Sequence, residues 1–239
     1  PPAGDRESAQ SKSMVMIPVS QASQTVYANN MQKGSVPPGV YQGLVIKHTK
    51  GDFLPSLAES WTVSEDASVW TFNLVKDATW NDGTPFTCRD VRFTRDYLTA
   101  NNLTLAYVLH DVESIGCPDD STAVFTLKTS YSGFLDQISR TPGITISPEH
   151  VWSTIDDPQH YQDTEFIGTG PFVFEKSAAG YVQMKRNDRY YGKKPQIDWF
   201  ILTVISNPDS QILALKNGEI DVVSDISPAA DNPDQEQAA

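Results

Sequence analysis

The residues able to do chemistry in this 239-residue chain are few, and their spacing excludes most reactions. His48, His110, His150 and His160 are scattered without metal-ligand spacing, so each reads as a surface or helix-end residue. Cys88 and Cys117 are too few and too far apart for a thiolate zinc site, and neither begins a C-x-x-C pair. One disulfide in an oxidising compartment and two buried thiols acting as small hydrophobes are both open readings. The G-x-S-x-G elbow, the P-loop and H-E-x-x-H are missing, which leaves acyl transfer, nucleotide hydrolysis and zinc peptidase chemistry without their usual residues. Thirty Asp and Glu could always place two carboxylates for glycoside hydrolysis, but no spacing singles out a pair.

Charge narrows the partners. Eighteen basic against thirty acidic side chains give a net charge of -12, which repels phosphate backbones and excludes nucleic acid as a partner. The 39% apolar content, with 10 Phe, 9 Tyr and 5 Trp, is that of a folded chain with a sizeable core. No apolar run reaches the roughly 18 residues needed to span a bilayer, the longest candidate being Trp199 to Ile205. The chain begins at Pro1, and Pro1 to Ser13 is small and polar, as a tether left by removal of a leader or lipid anchor would be.

The elements follow from pattern. Met14 to Val19 reads as a first strand, and Tyr41 to Ile46 as a short apolar segment after the Gly34 to Gly39 breaker cluster. Trp70, Phe72 and Leu74 alternate with Thr71 and Asn73, as in a half-buried strand. Thr87-Cys88-Arg89-Asp90 is a capping box, and Val91, Thr94 and Leu98 are the inward stripe of the helix it opens. Asn102-Leu103-Thr104 is also a glycosylation sequon, of consequence only in a cell that glycosylates exported proteins. Val112 to Ile115 and Ala123 to Lys128 predict two strands around a turn at Pro118-Asp119-Asp120. Ser147-Pro148-Glu149 predicts a helix start with Ser147 as its cap. Phe172 to Lys176 and Tyr181 to Lys185 predict a hairpin, and Trp199 to Ile205 a central strand. Asn207-Pro208 opens a helix bearing Ile212, Leu213 and Leu215 that Gly218 ends, with a strand expected at Ile220 to Val223.

Seven segments, in order from Tyr41 to Asp221, resemble the family 5 extracellular solute-binding proteins. Tyr41-Gln42-Gly43-Leu44-Val45 is similar to the family's Y-E-G-L-V, and Pro55 to Trp61 to its P-x-L-A-E-S-W. Trp70 to Leu74 and Trp80 to Thr87 are similar to its Y-T-F-x-L and W-x-D-G-T-P-x-T. Gly168 to Phe172 resembles G-T-G-P-Y/F, Arg186 to Pro195 resembles R-N-x-x-Y-W-G-x-K-P, and Ala214 to Asp221 resembles A-L-x-x-G-E-I-D.

The resemblance implies an α/β fold: a periplasmic-binding-protein-like type II lobe with a mixed sheet and an inserted smaller α+β subdomain. The main lobe is expected from 14–44 and 166–226, the insert from 45–165, and disordered tails at 1–13 and 227–239. The family's second lobe, which closes over the ligand, is expected to be absent from this chain. It also implies a non-enzyme: the periplasmic or cell-surface binding component of an ABC importer, with lipid anchoring as one form of attachment. Such a carrier is expected to be a monomer that captures short peptides for a membrane permease without a cofactor or metal. A nickel chelate or oligosaccharide carrier, or a ligand-sensing ectodomain without transport, is the alternative. By position against the family, Ser35, Val36 and Thr169 are the expected ligand contacts, and the Arg140 guanidinium could fork onto a ligand carboxylate.

Overall fold

The computed structural model describes residues 13–19, 39–139, 144–161, 163–178 and 180–223. The expected tails lie outside these residues, apart from Ser13. The chain divides into two compact units, one of 1–22, 176–184 and 197–239, the other of 23–175 and 185–196. Leu44 and Val45 are buried in the larger unit's core together with Leu57, Trp70 and Phe72.

The larger unit is built on a four-stranded antiparallel sheet ordered β4 (Ala58–Val63), β5 (Val69–Leu74), β7 (Thr122–Leu127), β6 (Val112–Asp119). A hairpin of β2 (Val45–Lys47) and β3 (Phe53–Pro55) precedes it. On β5 the expected alternation holds: Trp70, Phe72 and Leu74 are buried while Asn73 is exposed, and Ala123, Phe125 and Leu127 repeat it on β7. Phe72 meets Phe125 edge-on at 5.2 Å, and Phe134 closes on Trp70 and Phe125 at 5.8 and 5.6 Å. Full burial of each such ring contributes about 1.5–3 kcal/mol. Phe134 comes from α2 (Phe134–Ser139), which, like the 3₁₀ turn at Thr104–Leu109, is too short to carry a readable period in sequence.

Helix α1 (Cys88–Ala100) starts where the capping box predicts and buries Val91, Thr94 and Leu98. Thr87 Oγ1 accepts from the Arg89 amide at 3.3 Å, and Asp90 Oδ2 accepts from the Thr87 amide at 2.9 Å. The other Asp90 oxygen accepts from the Glu149 amide at 3.0 Å, at the first residue of α3 (Glu149–Trp152). One carboxylate therefore serves two helix starts. Burial raises its pKa, and the Glu149 and Thr87 amides oppose that rise. Ser147 is not the cap of α3: Pro148 takes that position, and the Ser147 amide donates instead to Thr94 Oγ1 at 3.0 Å. Cys88 and Cys117 form a disulfide, so the first turn of α1 is tied to β6.

The smaller unit holds most of a second sheet, ordered β1 (Met14–Val19), β10 (Trp199–Val204), β9 (Tyr181–Arg186), β8 (Phe172–Ala178). β1 and β10 run parallel, Met14 opposite Trp199, and β10 lies inside the sheet as its continuous apolar run predicts. Helix α4 (Pro208–Lys216) is capped by Asn207, whose side chain accepts from the Ser210 amide, and Gly218 follows it at φ +69. Its buried residues are Gln211 and Ala214, while Leu213 is 59% exposed and Leu215 41%. Residues 220–223 are not a strand. Asp221 instead clasps the edge of β1, its carboxylate accepting from the Met16 amide at 2.7 Å and its own amide donating to the Met16 carbonyl at 3.0 Å.

Candidate ligand-binding scaffold

Four of the recognisable segments converge at one place in the larger unit. Its centre is the return of the chain at Phe166 to Pro171, which lies on the backbone of Gly39 and Val40. The Gly170 amide donates to the Val40 carbonyl at 2.8 Å and the Phe172 amide to the Gly39 carbonyl at 3.0 Å. Contact is so close that a Cβ on Gly168 would stand 2.1 Å from the Val40 oxygen, and one on Gly170 2.1 Å from the Gly39 oxygen. Neither glycine has positive φ, so close approach, not backbone conformation, demands them.

Two asparagines lock this contact from either side. Asn81, in the turn that Gly83 completes at φ +96, donates its amide to the Gly168 carbonyl at 2.9 Å and its side chain to the Phe166 carbonyl at 3.1 Å. Asn187 is buried; its side chain donates to the Gly170 carbonyl and its amide to the Pro171 carbonyl, both at 2.8 Å, while its Oδ1 accepts from the Arg189 amide at 3.0 Å. Tyr41 and Asp163 form a third fastening. The buried Tyr41 hydroxyl donates to Asp163 Oδ2, and Asp163 Oδ1 accepts from the amides of Phe166 at 3.0 Å and Glu165 at 3.2 Å. Burial, then the charge of Asp163, holds the Tyr41 pKa well above its ordinary value, so this hydroxyl stays a donor throughout the usual pH range. Tyr41→Phe is expected to destabilise the unit by about 2 kcal/mol, measured as a lower denaturant midpoint, because it strips a donor from a buried carboxylate. A midpoint equal to wild type would remove this bond from the fastenings.

Of the expected ligand contacts, only Thr169 falls within the described residues; Ser35, Val36 and Arg140 lie outside them. Thr169 sits between the two close-approach glycines at 1% exposure, and its buried hydroxyl has no hydrogen-bond partner among the described residues. Asn81, Asp163 and Asn187 are not among the residues expected at the site from the sequence. The available signal was position: Asn81 and Asn187 each lie in a segment rich in turn formers, where a short amide can reach main-chain carbonyls.

The chain matches the model of the bacterial extracellular solute-binding proteins, family 5, over residues 52–239. It belongs to that family. A Brucella ovis relative described as an ABC transporter peptide-binding protein is 35% identical over 189 residues, 75% of this chain and 35% of the relative. The nickel-binding periplasmic protein of Escherichia coli is 31% identical over 196 residues, 77% of this chain and 35% of the relative. The chain thus spans about a third of the length of these curated relatives. Among solved structures, Campylobacter jejuni NikZ in complex with Ni(L-His) aligns at TM-score 0.76 and 28% identity, over 90% of this chain and 43% of that one. The expected solute-binding fold is therefore present, and the family's members are extracytoplasmic. Among the described residues no helix is long and apolar enough to cross a membrane.

Proposed function

We propose that the chain is part of the substrate-binding component of an ABC importer, which captures short peptides outside the membrane and delivers them to a permease. The observation that carries this reading is the fastening of Gly39–Tyr41 onto Gly168–Pro171 through main-chain bonds and two asparagines. A rigid ledge held by its backbone suits capture of peptides through their own main chain, with little demand on side-chain identity. The peptide-binding description of the Brucella relative supports it, and the Cys88–Cys117 disulfide supports an oxidising, extracytoplasmic location, periplasmic or cell-surface, with lipid anchoring as one form of attachment. The complete protein is proposed to be a monomeric carrier, not a catalyst. Its main lobe would comprise 14–44 and 166–226 with 45–165 inserted, and Ser35, Val36, Arg140 and Thr169 would touch the ligand.

A nickel-carrying reading is favoured by the E. coli and C. jejuni relatives. Among the described residues no group of three or more His, Cys, Asp or Glu could hold a metal ion. Mass spectrometry of the ligand retained by the full-length protein after native purification separates these readings. Peptides are expected, and a bound nickel chelate or sugar without peptide would overturn the proposal.

Thr169→Val tests one contact. Removing a buried hydroxyl that lacks a partner is expected to leave stability unchanged or raise it by about 1 kcal/mol, while weakening peptide capture by the full-length protein about tenfold. Wild-type affinity in this variant would take Thr169 out of the contact set.

A further inference from the structure

The larger unit carries a second concavity, of about 350 Å³, which lies within the size range of small-molecule sites. Its lining combines aliphatic Ile46, Pro55 and Val75 with the Tyr190 and Tyr191 rings, whose centroids are 4.7 Å apart, and polar Gln42, Ser56 and Glu59. It is a built cleft rather than a gap between loops. Gln42 Nε2 donates to Tyr190 Oη at 3.2 Å and to Ser56 Oγ at 3.4 Å, which fixes the Tyr190 ring from one side. Gly192 fixes it from the other, for a Cβ there would stand 2.8 Å from the Tyr190 ring.

Glu59 faces this cleft because of a defect in the sheet. Ala58 pairs with Leu74 and Ser60 with Asn73, so Glu59 is the extra residue of a β-bulge, with no residue opposite it on β5. A bulge breaks the in-and-out alternation and re-aims the side chain it inserts. The carboxylate is exposed and has no ion-pair or hydrogen-bond partner among the described residues. No Lys, Arg or His lines the cleft, and the chain as a whole carries a net charge of -12.

A hollow of about 490 Å³ lies at the start of α1. There Arg89 pairs with Glu149 at 3.2 Å, His150 pairs with Asp82 at 2.7 Å, and the Asp120 carboxylate shares its lining with Arg89. A cation entering that hollow would meet the Arg89 guanidinium. The cleft at Glu59 offers an unneutralised carboxylate at a re-aimed position, the π-system of a ring held by Gln42, and three aliphatic side chains, with no cationic residue in its lining.

We propose that this cleft is a binding site for a small organic cation, an alkylammonium or alkylguanidinium whose charged head meets Glu59 and the Tyr190 ring while its chain lies along Ile46, Pro55 and Val75. The site is separate from the ledge at Gly168–Pro171, and the inference does not rest on the peptide reading. A cation bound here remains bound whatever ligand the full-length protein retains.

Calorimetric titration of the full-length protein with butylguanidinium, beside the neutral pentan-1-ol, tests the site. Saturable binding of the cation at about millimolar concentrations or below is expected, with none of the alcohol. Glu59→Gln is expected to weaken the cation about tenfold, and added salt to weaken it further. Ile46→Lys, at a position 50% exposed, places a competing ammonium at the cleft and is expected to abolish binding. Equal affinity for alcohol and cation, no saturation, or cation affinity unchanged in both variants would overturn the assignment.

Discussion

Gly170→Ala is expected to cost about 3 kcal/mol or more, among the largest effects of any single methyl group in this chain. The added carbon would stand 2.1 Å from the Gly39 carbonyl oxygen, and both sides of that contact are backbone, so no side-chain rotation relieves it. Either the Gly170–Val40 hydrogen bond lengthens or the Asn187 bonds to Gly170 and Pro171 break. Gly168→Ala meets the Val40 carbonyl at the same distance and is expected to behave alike. Gly51→Ala is the control: Gly51 has φ +95 but nothing within 4 Å of a Cβ, so only the left-handed backbone opposes the change, at about 1–2 kcal/mol. Denaturant midpoints with unchanged slope measure all three. If Gly170→Ala costs no more than Gly51→Ala, close approach is not what organises the ledge.

Breaking the Cys88–Cys117 disulfide is expected to cost about 3–4 kcal/mol, which for a chain of this size lowers the melting temperature by about 10 °C. The bridge closes a segment of sequence separation 29, and the unfolded chain regains the freedom of that loop when it opens. The same sulfurs anchor the first turn of α1 on β6, where the capping box already holds the backbone. Thermal melts of the double variant Cys88→Ala, Cys117→Ala, and of wild type under reductant, should agree. A fall under about 1 kcal/mol in both would show that packing alone holds α1 to the sheet.

Strands and helices with a strong period were legible in the sequence. The Trp70, Phe72, Leu74 face, the Thr87 and Asp90 capping box and the Asn207 cap all reappear, because each is decided by residues within one or two turns of one another. Errors arose where partners distant in sequence decide. On α4 the inward residues are Gln211 and Ala214, and the Gln211 side chain donates to the Ile205 carbonyl at 2.7 Å, a partner that no local period announces. Ile220 to Val223 has strand composition, yet the Asp221 carboxylate occupies the β1 amide that a ladder bond would use. The candidate site was legible as a set of motifs and not as an arrangement. Nothing in Asn81 or Asn187 announces that both reach for carbonyls of one short segment.

The ledge also bears on the order in which the chain folds. Its fastenings join residues far apart along the polypeptide, Tyr41 to Asp163 and Asn81 to Phe166, at separations of 122 and 85. The β4–β5 and β6–β7 hairpins close over a few residues each, and their pairing through β5 and β7 brings Phe72 onto Phe125. Chain-closure entropy rises with the length enclosed, so these hairpins should assemble early and the ledge last. The surface proposed to hold ligand would then be the final region to gain structure and the first to lose it.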